Sequence, residues 1–176
     1  MGTFGIFLAI LLMAGTSSKS PDTIYWSKDR KLTWNDFQGQ PDYNYAEVAA
    51  LTSSGIVHFK GCENGKIIYK VQSYFEKKHS WFKPEAKTDH HLKHEQIHFN
   101  ITELYARKLR NALKTKDFRC GEEEQFDRFV RDYLNKWQSA QINYDLYTGY
   151  SMRKKKQKEW EYRVAMELSV FNQFGD

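Results

Sequence analysis

The apolar residues of this chain change period near residue 88, and that change limits the fold more than any other feature. From Asp89 to Lys114, Ile97, Ile101, Leu104, Tyr105, Leu109 and Ala112 recur at three- and four-residue steps, the mark of a helix with one apolar stripe. A similar stripe of Phe126, Val130, Tyr133, Leu134 and Trp137 predicts a second helix from about Glu122 to Gln141, with Glu122, Glu123 and Glu124 suiting the dipole at its start. Trp160, Val164, Leu168 and Phe171 predict a third over Arg153 to Phe171.

Upstream the period is two. Asn64-Gly65 accepts the positive φ angles of a type I′ turn and predicts a hairpin, on whose return strand Ile67, Tyr69, Val71 and Phe75 face one way and Lys70 and Gln72 the other. Leu32 to Phe37 and Ser54 to Phe59 read as short strands. Pro84 ends the extended region, and Thr88 or Asp89 offers a helix N-cap. Strands first and helices after predict an α+β fold, an N-terminal antiparallel hairpin or sheet followed by a helical half, rather than alternating βαβ units.

Composition fits one folded unit. At 176 residues, 40% hydrophobic and 16% aromatic, the chain has ample material for a core and is far from the composition of disordered segments. Its 27 Lys+Arg and 22 Asp+Glu are too evenly mixed to define a nucleic-acid surface, and the run Arg153 to Lys158 reads as the solvated opening of a helix.

Phe4 to Ala14 form an apolar run, broken only by Gly5 and followed by Gly15, Thr16, Ser17 and Ser18, which predicts a secretory signal peptide over residues 1–18 and a single domain over residues 19–176. The run is too short to span a bilayer, and no second candidate follows, so the expected protein is secreted or periplasmic without stable membrane insertion. In an oxidising compartment Cys62 and Cys120 can form one disulfide; two buried thiols are the alternative.

The chemistry concentrates between residues 90 and 98, where His90, His91, His94 and His98 lie close together. The last two frame His94-Glu95-Gln96-Ile97-His98, an HExxH pattern inside the first predicted helix. Residues four apart on a helix sit one above the other, so both imidazoles can hold one metal ion, with zinc the expected ion. Glu95, about 100° round the helix, is placed to take a proton from a water held there. That chemistry points to metal-assisted hydrolysis of an amide bond. The HxxGxxH extension is absent, since Phe99 onward reads FNITELYAR, and Glu103 is turned about 140° from the histidine face. His90 and His91 read as bystanders.

The stretches Leu32-Thr33-Trp34-Asn35-Asp36-Phe37, Leu51 to Ile56 and His94 to Leu104 closely resemble the bacterial domain of unknown function 922 family, a family of predicted secreted zinc-dependent proteases. Tyr144-Asp145, Thr148, Gln157 and Trp160 match its later YDxxTxH…QxxW block. The resemblance implies a zincin-like domain with His94 and His98 as zinc ligands and Glu95 as general base. Its third ligand looks like the histidine two residues after the threonine, and here that position is Tyr150. Tyrosine offers an oxygen ligand at the cost of driving off a proton, and Asp145 offers a carboxylate, as ligand or as partner to an imidazole. The expected function is a secreted zinc metallopeptidase acting on peptides or proteins. The departure at Tyr150 motivates an alternative, a degenerate relative that binds such partners without cleaving them.

Overall fold

A computed structural model describes residues 22–175, so the expected signal peptide lies outside the described residues. Five strands come first: β1 (Thr23–Tyr25), β2 (Ala50–Leu51), β3 (Ser54–Glu63), β4 (Lys66–Glu76) and β5 (Trp81–Phe82). The helices α1 (Asp89–Lys114), α2 (Glu123–Thr148) and α3 (Lys154–Val170) follow, which is the predicted α+β order.

Asn64 and Gly65 adopt φ angles of 50° and 77°, and the hairpin they close pairs β3 with β4 antiparallel from Glu63↔Lys66 to Ser54↔Phe75. β1 adds to the other edge of β4, with Ile24 opposite Phe75, while β2 and β5 form a separate antiparallel pair. On β4, Ile67, Val71, Ser73 and Phe75 are buried, and Lys66, Ile68 and Lys70 are exposed.

Leu32 to Phe37 is not the expected strand. Asp36 Oδ2 accepts from Thr33 N at 2.7 Å and from Thr33 Oγ1 at 2.9 Å, and these bonds wind Trp34–Asp36 into a single 3-10 turn. A threonine followed three residues later by an acid is a helix-start signal, and it overrides the apolar spacing here. Leu32 and Phe37 are nevertheless buried, packed with Phe75 and Phe99.

α1 has the predicted bounds, and Thr88 caps it by accepting from His91 N. It packs on β3, β4, α2 and α3, so polar residues as well as apolar ones are buried along it. Ile67, Val71, Leu109, Leu113, Phe126 and Val130 fill the space between sheet, α1 and the start of α2. Ile97, Ile101, Ala140, Tyr144, Trp160 and Val164 fill the space among the helices.

α2 continues seven residues beyond the predicted end at Gln141, to Thr148. Nothing between the two residues breaks a helix, whereas Gly149 adopts φ 57° and supplies the left-handed cap that ends it. The extension brings Tyr144 into the core and Asp145 to the face that meets α1.

Cys62 and Cys120 are joined in a disulfide. It fastens the loop between α1 and α2 to the hairpin, alongside hydrogen bonds from Ile67 N to Phe118 O and from Cys120 N to Gly65 O. The linked residues are 58 apart in sequence. A loop of that size implies about 4 kcal/mol of stabilisation, or roughly 10 °C in melting temperature. Calorimetry of the Cys62→Ala/Cys120→Ala variant should find that loss, and an unchanged melting point would remove the bond from any account of stability.

Candidate metal centre

His94 and His98 stand one turn apart on α1, His94 buried and the His98 side chain 12% exposed, and Asp145 reaches them from α2. Asp145 Oδ1 lies 3.1 Å from His94 Nε2 and 3.0 Å from His98 Nε2, and the two Nε2 atoms are 3.2 Å apart. These three are the described His, Cys, Asp and Glu residues that could share one metal ion.

The tautomer of His98 follows from its neighbours. Gln141 Nε2 donates to His98 O at 3.0 Å and to Thr102 Oγ1 at 2.9 Å, so Gln141 Oε1, 2.7 Å from His98 Nδ1, must accept from it. A neutral His98 therefore turns the lone pair of Nε2 toward a carboxylate oxygen and a second imidazole. Acceptors this close repel unless a proton or a cation lies among them. Zinc bonds of about 2.0–2.1 Å set tetrahedral ligands about 3.3 Å apart, so small outward shifts would seat an ion where the proton now belongs.

Burial opposes charging His98, but the hydrogen bond and charge of Asp145 outweigh it, and the pKa is pushed up to about 9. Burial likewise works against the Asp145 carboxylate, yet hydrogen bonds from His94 and His98 hold it well below the usual carboxylate range. Tyr144, fully buried, stacks on the His94 ring with centroids 4.5 Å apart and meets His98 edge-on at 4.8 Å. His94 Nδ1 has no hydrogen-bond partner, so ring stacking rather than a second hydrogen bond orients that imidazole.

The group lies at a cavity of about 430 Å³ whose lining also includes Glu95, Leu51, Trp137, Ile142 and Tyr150. Glu95 is buried, and its Oε2 has no partner among the protein atoms. Tyr150 enters the cavity wall from the turn after α2, where it adopts φ 51° and remains 38% exposed. It is Asp145 that meets both imidazoles.

The remaining candidates fall outside this cluster. His91 lines the cavity, hydrogen-bonded to Thr88, and its pKa is lowered by burial and then by His90 and His94. His90 contacts Ser151 O at 2.7 Å. Glu103 is engaged by Ser73, Arg107 and Arg110, and Glu159 is an exposed partner of Lys156. On sequence grounds Trp137 has a place only in the apolar stripe of α2, and Gln141 and Thr102 have no assigned role; Trp137 Nε1 donates to Thr102 Oγ1 at 3.1 Å. Gln141 lies four residues from both Trp137 and Asp145, so extending the Trp137 stripe by one turn finds the face that meets His98.

A family model described as Bacterial protein of unknown function (DUF922) matches residues 72–152, and the chain resembles that family. The matched span runs from β4 to the turn after α2 and contains every residue of the cluster; Leu32 to Phe37, Leu51 to Ile56, Gln157 and Trp160 lie beyond it. No curated protein and no solved structure matches the chain.

Proposed function

We propose that this chain is a zinc-dependent metallopeptidase acting outside the cytoplasm, secreted or periplasmic, with His94, His98 and Asp145 holding the ion and Glu95 as general base. The observation that carries the reading is the convergence of two imidazole nitrogens and one carboxylate oxygen within 3.2 Å of one another at a cavity that Glu95 also lines. Three protein ligands at the wall of a cavity would leave room for the open position that a catalytic, rather than a structural, zinc keeps. When bound, the ion would supply a Lewis acid that polarises a substrate carbonyl and makes water more acidic. Glu95 then accepts a proton at Oε2 from the attacking water and holds it for the leaving amine. Tyr144 and Gln141 keep the imidazoles aimed at one point, which limits the rearrangement that binding demands. Asp145, an anion throughout the neutral range, takes the ligand role expected of Tyr150 without first losing a proton. The apolar run Phe4 to Ala14 and the Cys62–Cys120 bond support export.

Metal binding is the direct test. Mass spectrometry of the intact protein should find one zinc per chain, lost in Asp145→Asn and His98→Gln. Since His98 holds its proton below about pH 9, an entering ion must expel it. Apparent zinc affinity, measured against a chelator, should thus rise about tenfold per pH unit between about 6.5 and 8. Absence of zinc, or an affinity flat across that window, would reject the site. The same pairing stabilises the metal-free fold: the His98 contribution is complete below its unfolded pKa of about 6.5 and lost as pH rises through about 9.

A further inference from the structure

α3 is apolar on two faces, and only one of them is used. Trp160 and Val164 are buried, and Leu168 packs against the same core. Two residues beyond each, about 200° round the helix, stand Tyr162, Met166 and Val170, which are 69%, 50% and 70% exposed. Spaced four apart, they form one continuous outward stripe rather than scattered surface residues. Met152, 79% exposed, lies in the turn that leads into the helix. Arg153, Lys154, Lys155, Lys156 and Lys158 follow, all exposed.

The charges stand in an unfavourable place. The first turn of α3 carries Lys154, Lys155 and Lys156 and no acid, so they repel one another and oppose the helix dipole. Lys156 is relieved by Glu159, 2.8 Å away. An anionic partner would relieve the others.

We infer that the outward face of α3, with Met152 and the cations of residues 153–158, is a peripheral docking surface for an anionic phospholipid bilayer. Charge complementarity commits the basic end to an anionic surface, and the stripe commits it to one with an apolar interior. A polyanion in water would leave Tyr162, Met166 and Val170 uncovered. The contact is interfacial, since no helix among the described residues is long and apolar enough to cross a membrane. Gly149 to Ser151 connect this surface to the metal cavity, because Tyr150 and Ser151 line the cavity and Met152 follows them directly. Docking would hold the cavity near the lipid surface. The inference is independent of whether the cavity is catalytic.

The test is sedimentation of residues 19–176, which contain the whole described fold, with vesicles of phosphatidylcholine alone or mixed with phosphatidylglycerol. The expected result is partition onto the mixed vesicles only, weakening as salt is raised. At about fivefold per cation, Lys154→Gln/Lys155→Gln/Lys158→Gln should lower the partition coefficient by about a hundredfold. Tyr162→Gln/Met166→Gln/Val170→Gln should lower it at least tenfold. Glutamine is a good helix former and these side chains point outward, so circular dichroism melting should be little changed. Failure of the wild type to bind the mixed vesicles would overturn the inference, as would binding that the apolar variant leaves intact. A dimer in analytical ultracentrifugation that the apolar variant dissociates, without vesicle binding, would assign the face to a second copy of the chain and overturn it equally.

Discussion

Glu95→Gln should lower the cleavage of a susceptible peptide by on the order of a thousandfold while leaving zinc content and melting temperature unchanged. Glutamine keeps the shape of the side chain but cannot take up a proton, so the substitution removes one step and little else. The fold gives no reason for a larger disturbance. Glu95 Oε2 has no partner to lose, and the hydrogen bond from Thr52 Oγ1 at 3.2 Å goes to the Glu95 backbone carbonyl, which the substitution keeps. Asp145→Asn should behave differently: an amide oxygen is neutral, so zinc and activity should disappear together. The two variants separate the proton acceptor from the ligand. Undiminished cleavage by Glu95→Gln would sink the general-base role. Zinc held by the wild type and by Glu95→Gln, with cleavage by neither on a broad peptide library, would favour the binding-only reading that Tyr150 motivates.

What the sequence made legible is what is local. His94 and His98 share a face because a helix repeats every 3.6 residues, and Thr88 caps α1 because its hydroxyl can reach His91 N. Asn64-Gly65 closes the hairpin for a reason contained in two residues. The third member of the metal cluster is set differently. Asp145 meets the histidines only because α2 runs on to Thr148 and packs against α1, a tertiary fact that a five-residue motif does not encode. The spacing of Trp137, Gln141 and Asp145 carries the information, but the apolar stripe itself ends at Trp137 and the next two positions on that face are polar. Leu32 to Phe37 fails in the opposite direction: two bonds to one Asp36 carboxylate oxygen outweigh the alternation that suggested a strand. The outward stripe on α3 is hard to read from sequence because a helix apolar on two sides gives little net periodicity.

The second large effect lies just beyond the HExxH turn, at Glu103, an acid close enough in sequence to be mistaken for a ligand. Its carboxylate is buried at the meeting of β4, α1 and the end of α3. Oε2 accepts from Ser73 Oγ at 2.5 Å, and Oε1 accepts from Arg107 Nε at 2.7 Å and Arg110 Nη1 at 3.2 Å. Each guanidinium passes the link onward, Arg107 to Leu168 O at 2.9 Å and Arg110 to Phe174 O at 2.6 Å. Glu103→Ala would leave two largely buried cations facing the space of one lost anion, a change that costs about 3–5 kcal/mol. In a domain of this size that is a fall of about 10 °C or more in melting temperature. Lys108→Ala, which breaks the more exposed pair with Glu167, should cost at most about 1 kcal/mol. Urea titration should therefore move the midpoint far more for Glu103→Ala than for Lys108→Ala, with similar slopes. The folded fraction of Glu103→Ala should still bind one zinc, because no atom of Glu103 belongs to the cluster of His94, His98 and Asp145. A Glu103→Ala protein that melts like the wild type but has lost its zinc would reverse the assignment and make this carboxylate part of the metal centre.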